Sequence, residues 1–155
     1  MNKKYYLTAL LASSLLGFAN VGMAAACSAA NSLVQVQDTS PAGLYEYVIF
    51  TVKSPMTGTY KVSSVKPPFE HDPSGTIVKV KGTVFKQINF AIMDWMCSTN
   101  HQLSLPDSQI QDVKNVGNFE GVVTYVVGYK SAAKYLNTYQ YPAGGYTKVV
   151  MRFKK

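Results

Sequence analysis

The side chains that could do chemistry are few and scattered. His71 and His101 fall in polar stretches read as loops, and neither has a second ligand four residues away. His71 precedes Asp72, but sequence neighbours do not orient an imidazole as a base; a catalytic triad is assembled from separate elements. A zinc site would need both histidines and further acidic donors. The sequence therefore predicts no catalytic set, no metal and no cofactor. It offers binding chemistry instead. Tyr135, Tyr139 and Tyr141 recur at even spacing, Tyr146 follows a turn, and Lys130, Lys134 and Lys148 lie among them. Aromatic rings stack on sugars, while phenol and ammonium donors bind hydroxyls and carboxylates. Tyr135, Tyr139, Tyr141, Tyr146 and Lys148 are the candidate ligand contacts, although tyrosines also fill ordinary strands. Glu120 is a sixth candidate. On a central strand it could recognise an amide or amine of a ligand, or satisfy a backbone N–H or a lysine where Gly117 and Gly121 interrupt the sheet. Trp95 reads as a core or loop anchor.

The element that positions these groups is the stretch Ile110–Tyr129. Residues 112–118 are polar and broken by glycine. From Phe119 to Tyr129 the chain alternates: Phe119, Val123, Tyr125, Val127 and Tyr129 on one face, Glu120, Val122, Thr124 and Val126 on the other. Period 2 with β-branched and aromatic residues predicts a strand. Val122 and Val126 make its second face apolar as well, so the strand is expected to be central and covered on both sides. Gly121 is expected at a bulge or close backbone approach.

Other strands follow from the same pattern. Leu33–Val36 is read as an added edge strand within an extended segment, 25–43. Leu44–Lys53 points Tyr45, Tyr47 and Ile49 one way and Val48, Phe50 and Val52 the other. Tyr60–Val65, Thr76–Lys81, Thr83–Ala91, Ala133–Tyr141 and Tyr146–Phe153 complete about eight strands, with almost no helix. Asp72-Pro73-Ser74-Gly75 fits a tight turn, and residues 98–109 read as a polar loop. Short alternating strands between frequent turns indicate an antiparallel β-sandwich or barrel, here one domain over 44–155.

The N-terminus reads as an address. Met1-Asn2-Lys3-Lys4 is basic, Leu7–Val21 is apolar, and Gly22-Met23-Ala24 offers small residues for cleavage. This is a secretory signal peptide over 1–24, too short and wrongly flanked for a membrane span. Cleavage leaves 131 of the 155 residues and, with Lys3 and Lys4 gone, takes the formal charge from +7 to +5. The remaining lysines are spread singly, without the basic block that marks a nucleic-acid binder. Cys27 and Cys97 remain, and an even count in an oxidising compartment predicts a disulfide. Closing so long a loop would contribute ~4 kcal/mol on the chain-entropy view. The rival reading is a lipid anchor on Cys27, which follows Ala24-Ala25-Ala26 but lacks the large aliphatic residue such signals carry. The two readings exclude one another.

Gly117-Asn118-Phe119-Glu120-Gly121-Val122-Val123-Thr124-Tyr125, followed by Val126-Val127-Gly128, resembles the most recognisable segment of bacterial AMIN-like domains. Leu44–Phe50, Gly58–Val62, Ser74-Gly75, Val78–Gly82 and Thr147–Phe153 resemble further family segments in the same order, so the resemblance covers roughly 44–153. In the closing strand the family has an Arg and an Asp where this chain has Lys148 and Arg152. The resemblance implies a β-sandwich of two small sheets. AMIN domains target cell-wall amidases and secretion-channel proteins within the envelope and bind peptidoglycan; the amidase activity resides in a separate domain. The expectation is an exported, non-catalytic module that binds a cell-wall glycan or an envelope protein, in the periplasm or outside the cell. The alternative is a secreted effector or adhesion-type protein that binds a host or partner protein. Fold kinship alone carries little functional weight.

Overall fold

The computed structural model describes residues 29–40, 43–93, 95–96, 102–105 and 107–155, with 95 and 96 described by backbone only. Residues 1–24, Cys27, Cys97 and His101, and with them the signal-peptide, disulfide and lipid-anchor expectations, lie outside the described residues, as does the side chain of Trp95.

Among the described residues the secondary structure is entirely β. The strands are β1 (Ser32–Thr39), β2 (Tyr45–Lys53), β3 (Thr59–Ser64), β4 (Glu70–His71), β5 (Thr76–Ile77), β6 (Val84–Ala91), β7 (Trp95–Met96), β8 (Leu103–Ser104), β9 (Ile110–Phe119), β10 (Val122–Tyr129), β11 (Lys134–Ala143) and β12 (Tyr146–Lys154). One sheet runs β11-β12-β2-β1-β7 and the other β3-β6-β10-β9-β8, with β4-β5 a separate hairpin. Among the described residues the strands pair antiparallel except for the two-residue contact of β7 with β1. The expected antiparallel sandwich is the observed fold.

Alternation decides which side of each strand meets the other sheet. Phe50 on β2 reaches across to Phe90 on β6 and Tyr125 on β10, with ring centroids 5.2 Å away in both cases. At the other end Tyr129 on β10 meets Phe153 on β12 at 5.0 Å. These rings are buried, and burial of each such side chain contributes about 1.5–3 kcal/mol. The segment read as extended supplies β1, whose Leu33 and Val36 fill the same core. The packed unit therefore reaches back before residue 44.

The strand β10 is central, as expected, and both its faces are covered. Val123, Tyr125 and Val127 join the main core. Val126 faces the other way into a small cluster with Phe69 and Val116, flanked by Val65, Val78, Val80 and Phe85. The cover is the segment 65–82, which crosses the outside of the second sheet. Only Thr76–Ile77 of the expected strand 76–81 pairs as a strand; Val78–Lys81 lies as an extended strap. Its Lys81 N–H donates to Asp112 Oδ2 at 2.7 Å. Gly128 allows the crossing: a Cβ there would stand 2.0 Å from the Lys81 carbonyl oxygen.

The organising stretch differs from its reading in one respect. It is two strands, because the chain reverses at Glu120-Gly121. Both residues have positive φ, 48° and 75°, as the two-residue turn whose twist matches paired strands requires. The polar half, 112–118, is itself a buried strand. Its Asp112 and Asn115 are held by hydrogen bonds: Asp112 takes the strap, and Asn115 Nδ2 donates to the carbonyls of Gly117 and Thr124 at 2.9 and 3.0 Å, across a register shift.

Candidate functional site

The strap covers the outside of the second sheet. The outside of the first, the face of β11, β12, β2 and β1 turned away from the core, is the candidate site. Pairing register fixes its composition. Tyr141 stands opposite Lys148, which stands opposite Thr51; Tyr139 opposite Val150 and then Ile49; Asn137 opposite Arg152 and then Tyr47. Beyond these rows lie Tyr146 beside Lys53 and Lys154 beside Tyr45. Neighbouring strands are about 4.8 Å apart, so cross-strand partners touch.

The contacts hold this layer in place. The rings of Tyr139 and Tyr141 stack at 6.3 Å with 24° between planes, and those of Tyr45 and Tyr47 lie 6.4 Å apart. Lys53 Nζ sits 4.9 Å above the Tyr146 ring, and the Arg152 guanidinium 5.2 Å above Tyr45. Lys148 Nζ donates to Thr51 Oγ1 at 2.8 Å. Each of these cations is thus positioned by an uncharged partner, through ring quadrupole or hydroxyl. Val150 and Thr51 are buried beneath the longer side chains, while Tyr45, Tyr139 and Tyr141 stay 36–43% exposed. The result is a broad face with rings and ammonium groups at its surface.

Tyr139, Tyr141, Tyr146 and Lys148 share this face, as their spacing implied. Tyr135 does not. A register shift between Tyr135 and Asn137 breaks the alternation of β11, so Tyr135 turns inward. Its ring meets Phe153 at 5.6 Å and its hydroxyl pairs with Thr138 Oγ1 at 2.8 Å. Glu120 is also displaced from its expected role. It is an exposed residue at the tip of the β9–β10 hairpin, on the other sheet, and not a carboxylate on a central strand. Tyr45, Tyr47, Lys53 and Arg152 join the site without having been singled out. The signal was present in β2, where Tyr45 and Tyr47 alternate against a buried apolar face, but the pairing of β2 with β12 over about a hundred residues was not readable.

His71 lies in the β4–β5 hairpin opposite Thr76. Among the described residues no three of His, Cys, Asp and Glu stand close enough to hold a metal ion. Acidic residues meet at one end of the core instead. Glu46, fully buried on β2, accepts hydrogen bonds from Ser108 Oγ and from the backbone N–H of Gln109 and Ile110, the latter at 3.2 and 3.0 Å. Asp38 on β1 lies beside it. Burial, then the Glu46 carboxylate, push the Asp38 carboxyl up to about 7, against the pull of the Lys155 ammonium. This pair anchors the start of β9 and faces inward, away from the tyrosine face. A cleft of about 490 Å³ at the ends of β3 and β6 is lined by Val65, Lys66, Pro67, Val84 and Phe85 and gathers no reactive set. Among the described residues no helix is long and apolar enough to cross a membrane. No family model matches the chain, and no curated protein matches it.

Proposed function

We propose that this chain is an exported, non-catalytic binding module of the bacterial cell envelope, and that its ligand is an envelope glycan held on the outer face of β11, β12, β2 and β1. The observation that carries this reading is the concentration of tyrosines there. Tyr45, Tyr47, Tyr139, Tyr141 and Tyr146 share one side of one sheet, with ammonium and guanidinium donors between them. Sugars offer flat C–H faces to rings and hydroxyls to donors, and a wide, shallow platform suits an extended chain. The signal-like N-terminal sequence and the resemblance around Phe119-Glu120-Gly121 support the same compartment and ligand. The direct test is co-sedimentation of the purified protein with isolated sacculi at low salt. Retention with the pellet, lost in Tyr139→Ala/Tyr141→Ala, is the expected result. A wild-type protein that stays in the supernatant overturns the proposal.

A further inference from the structure

Resting on the glycan-binding reading, we infer that the ligand is an acidic polysaccharide, one that carries carboxylates or phosphates along its length. Charge divides unevenly across the first sheet. Its cationic side chains are Lys53, Lys134, Lys148, Arg152 and Lys154, and alternation and register put all five on the outer face. Its acids are Asp38 and Glu46, and both point inward, Asp38 opposite Val48 and Glu46 against the start of β9. A surface built only for solubility interleaves the two signs. Here one side of a sheet has one sign only, among the described residues.

The arrangement is costly without an anion. Lys134 and Lys154 are direct cross-strand partners, and like charges placed opposite one another destabilise a pair of strands. Arg152 keeps its Nε buried without a hydrogen-bond partner, and its guanidinium carbon stands 5.2 Å from the centre of the Tyr45 ring. A guanidinium offers its donors in the fork geometry that carboxylates and phosphates fit. Interleaved rings separate this face from a plain polyanion sink: Tyr141 stands directly opposite Lys148, and Tyr146 beside Lys53. Stacking area and cations a few ångströms apart match a sugar ring and its charged substituent on one residue.

The test is a set of titrations of the full chain at about 50 mM salt with an oligogalacturonate, a neutral oligosaccharide of equal length, and a DNA duplex. The expected result is preference for the acidic sugar over the neutral one by at least about tenfold, weakening as salt is raised. Lys148→Glu should lower the affinity for the acidic sugar by about tenfold, and Tyr139→Ala by a similar factor, with the far-UV circular dichroism of the folded protein unchanged. Equal binding of acidic and neutral sugars overturns this inference and leaves the glycan-binding reading standing. No binding of either sugar overturns both. DNA bound as tightly as the acidic sugar, with no effect of Tyr139→Ala, overturns the inference in favour of unselective attraction to polyanions.

Discussion

Gly128→Ala tests the packing of the strap on the second sheet. A Cβ at residue 128 would lie 2.0 Å from the Lys81 carbonyl oxygen and 3.1 Å from Val80 Cγ1. Carbon and oxygen settle at about 3.3 Å or more, so the strap must move outward by roughly 1 Å. That movement stretches the Lys81 N–H to Asp112 Oδ2 bond from 2.7 Å beyond hydrogen-bonding range. Asp112 is 2% exposed and its Oδ1 already has no partner. Losing a hydrogen bond to a buried carboxylate costs about 1.5–3 kcal/mol. Partial unpacking of Val78 and Val80 from Val126 adds about 1 kcal/mol, and the entropy that alanine removes from the unfolded chain returns up to about 1 kcal/mol. The net expectation is a loss of about 2–3 kcal/mol. Urea unfolding reads it as a fall in midpoint of about 1–2 M, for a slope in the usual range. Asp112→Asn removes part of the same interaction, so the double variant should lose less than the sum of the two. A Gly128→Ala midpoint within about 0.3 M of wild type would refute the argument from close approach.

Three further outcomes are expected. Asp38 binds a proton in the folded state that the unfolded chain releases at its ordinary pKa of 3.8, so its contribution is fully present below about pH 4 and is lost as pH rises through about 7. Asp38 is partly open to solvent, so the loss is discounted to about 1–2 kcal/mol; Asp38→Asn should remove that part of the stability difference between pH 5 and pH 8 in urea titrations. Glu120→Asn suits the left-handed first turn position better and should stabilise by about 0.5 kcal/mol, read as a small rise in Tm, with sacculus binding unchanged because the hairpin tip lies on the other sheet. Phe50→Ala should cost about 3–5 kcal/mol, because Phe50 bridges the sheets through both Phe90 and Tyr125; a loss below about 1 kcal/mol by the same measurement would show that this ring contact does not hold the sandwich closed.

The readable parts of the fold were those where alternation alone decides the outcome. In β2 and β10 alternation alone sorts the side chains, and Val48, Phe50 and Val52 and Val123, Tyr125 and Val127 face the core as their spacing implies. The reading failed where a distant partner decides. Asp112 and Asn115 look like loop residues; they are strand residues because Lys81 and the shifted carbonyls beside β10 satisfy them. Glu120-Gly121 sits inside an unbroken alternating run, and only backbone dihedrals reveal the reversal. Tyr135 left its expected face because one extra residue in β11 inverts the alternation, and nothing local marks that position. The site was half legible for the same reason. Its β11 and β12 residues are neighbours in sequence, whereas Tyr45, Tyr47 and Lys53 arrive by sheet pairing.

The most direct test of the central proposal is an amide chemical-shift titration of the ¹⁵N-labelled protein with a soluble acidic fragment of the sacculus. The account predicts perturbations concentrated on the outer-facing residues of β2, β11 and β12, around Tyr47, Tyr139, Tyr141, Lys148 and Arg152, with the strap and the β9–β10 hairpin tip unmoved. Perturbations centred on the strap or the hairpin tip, or none at millimolar fragment, would contradict it.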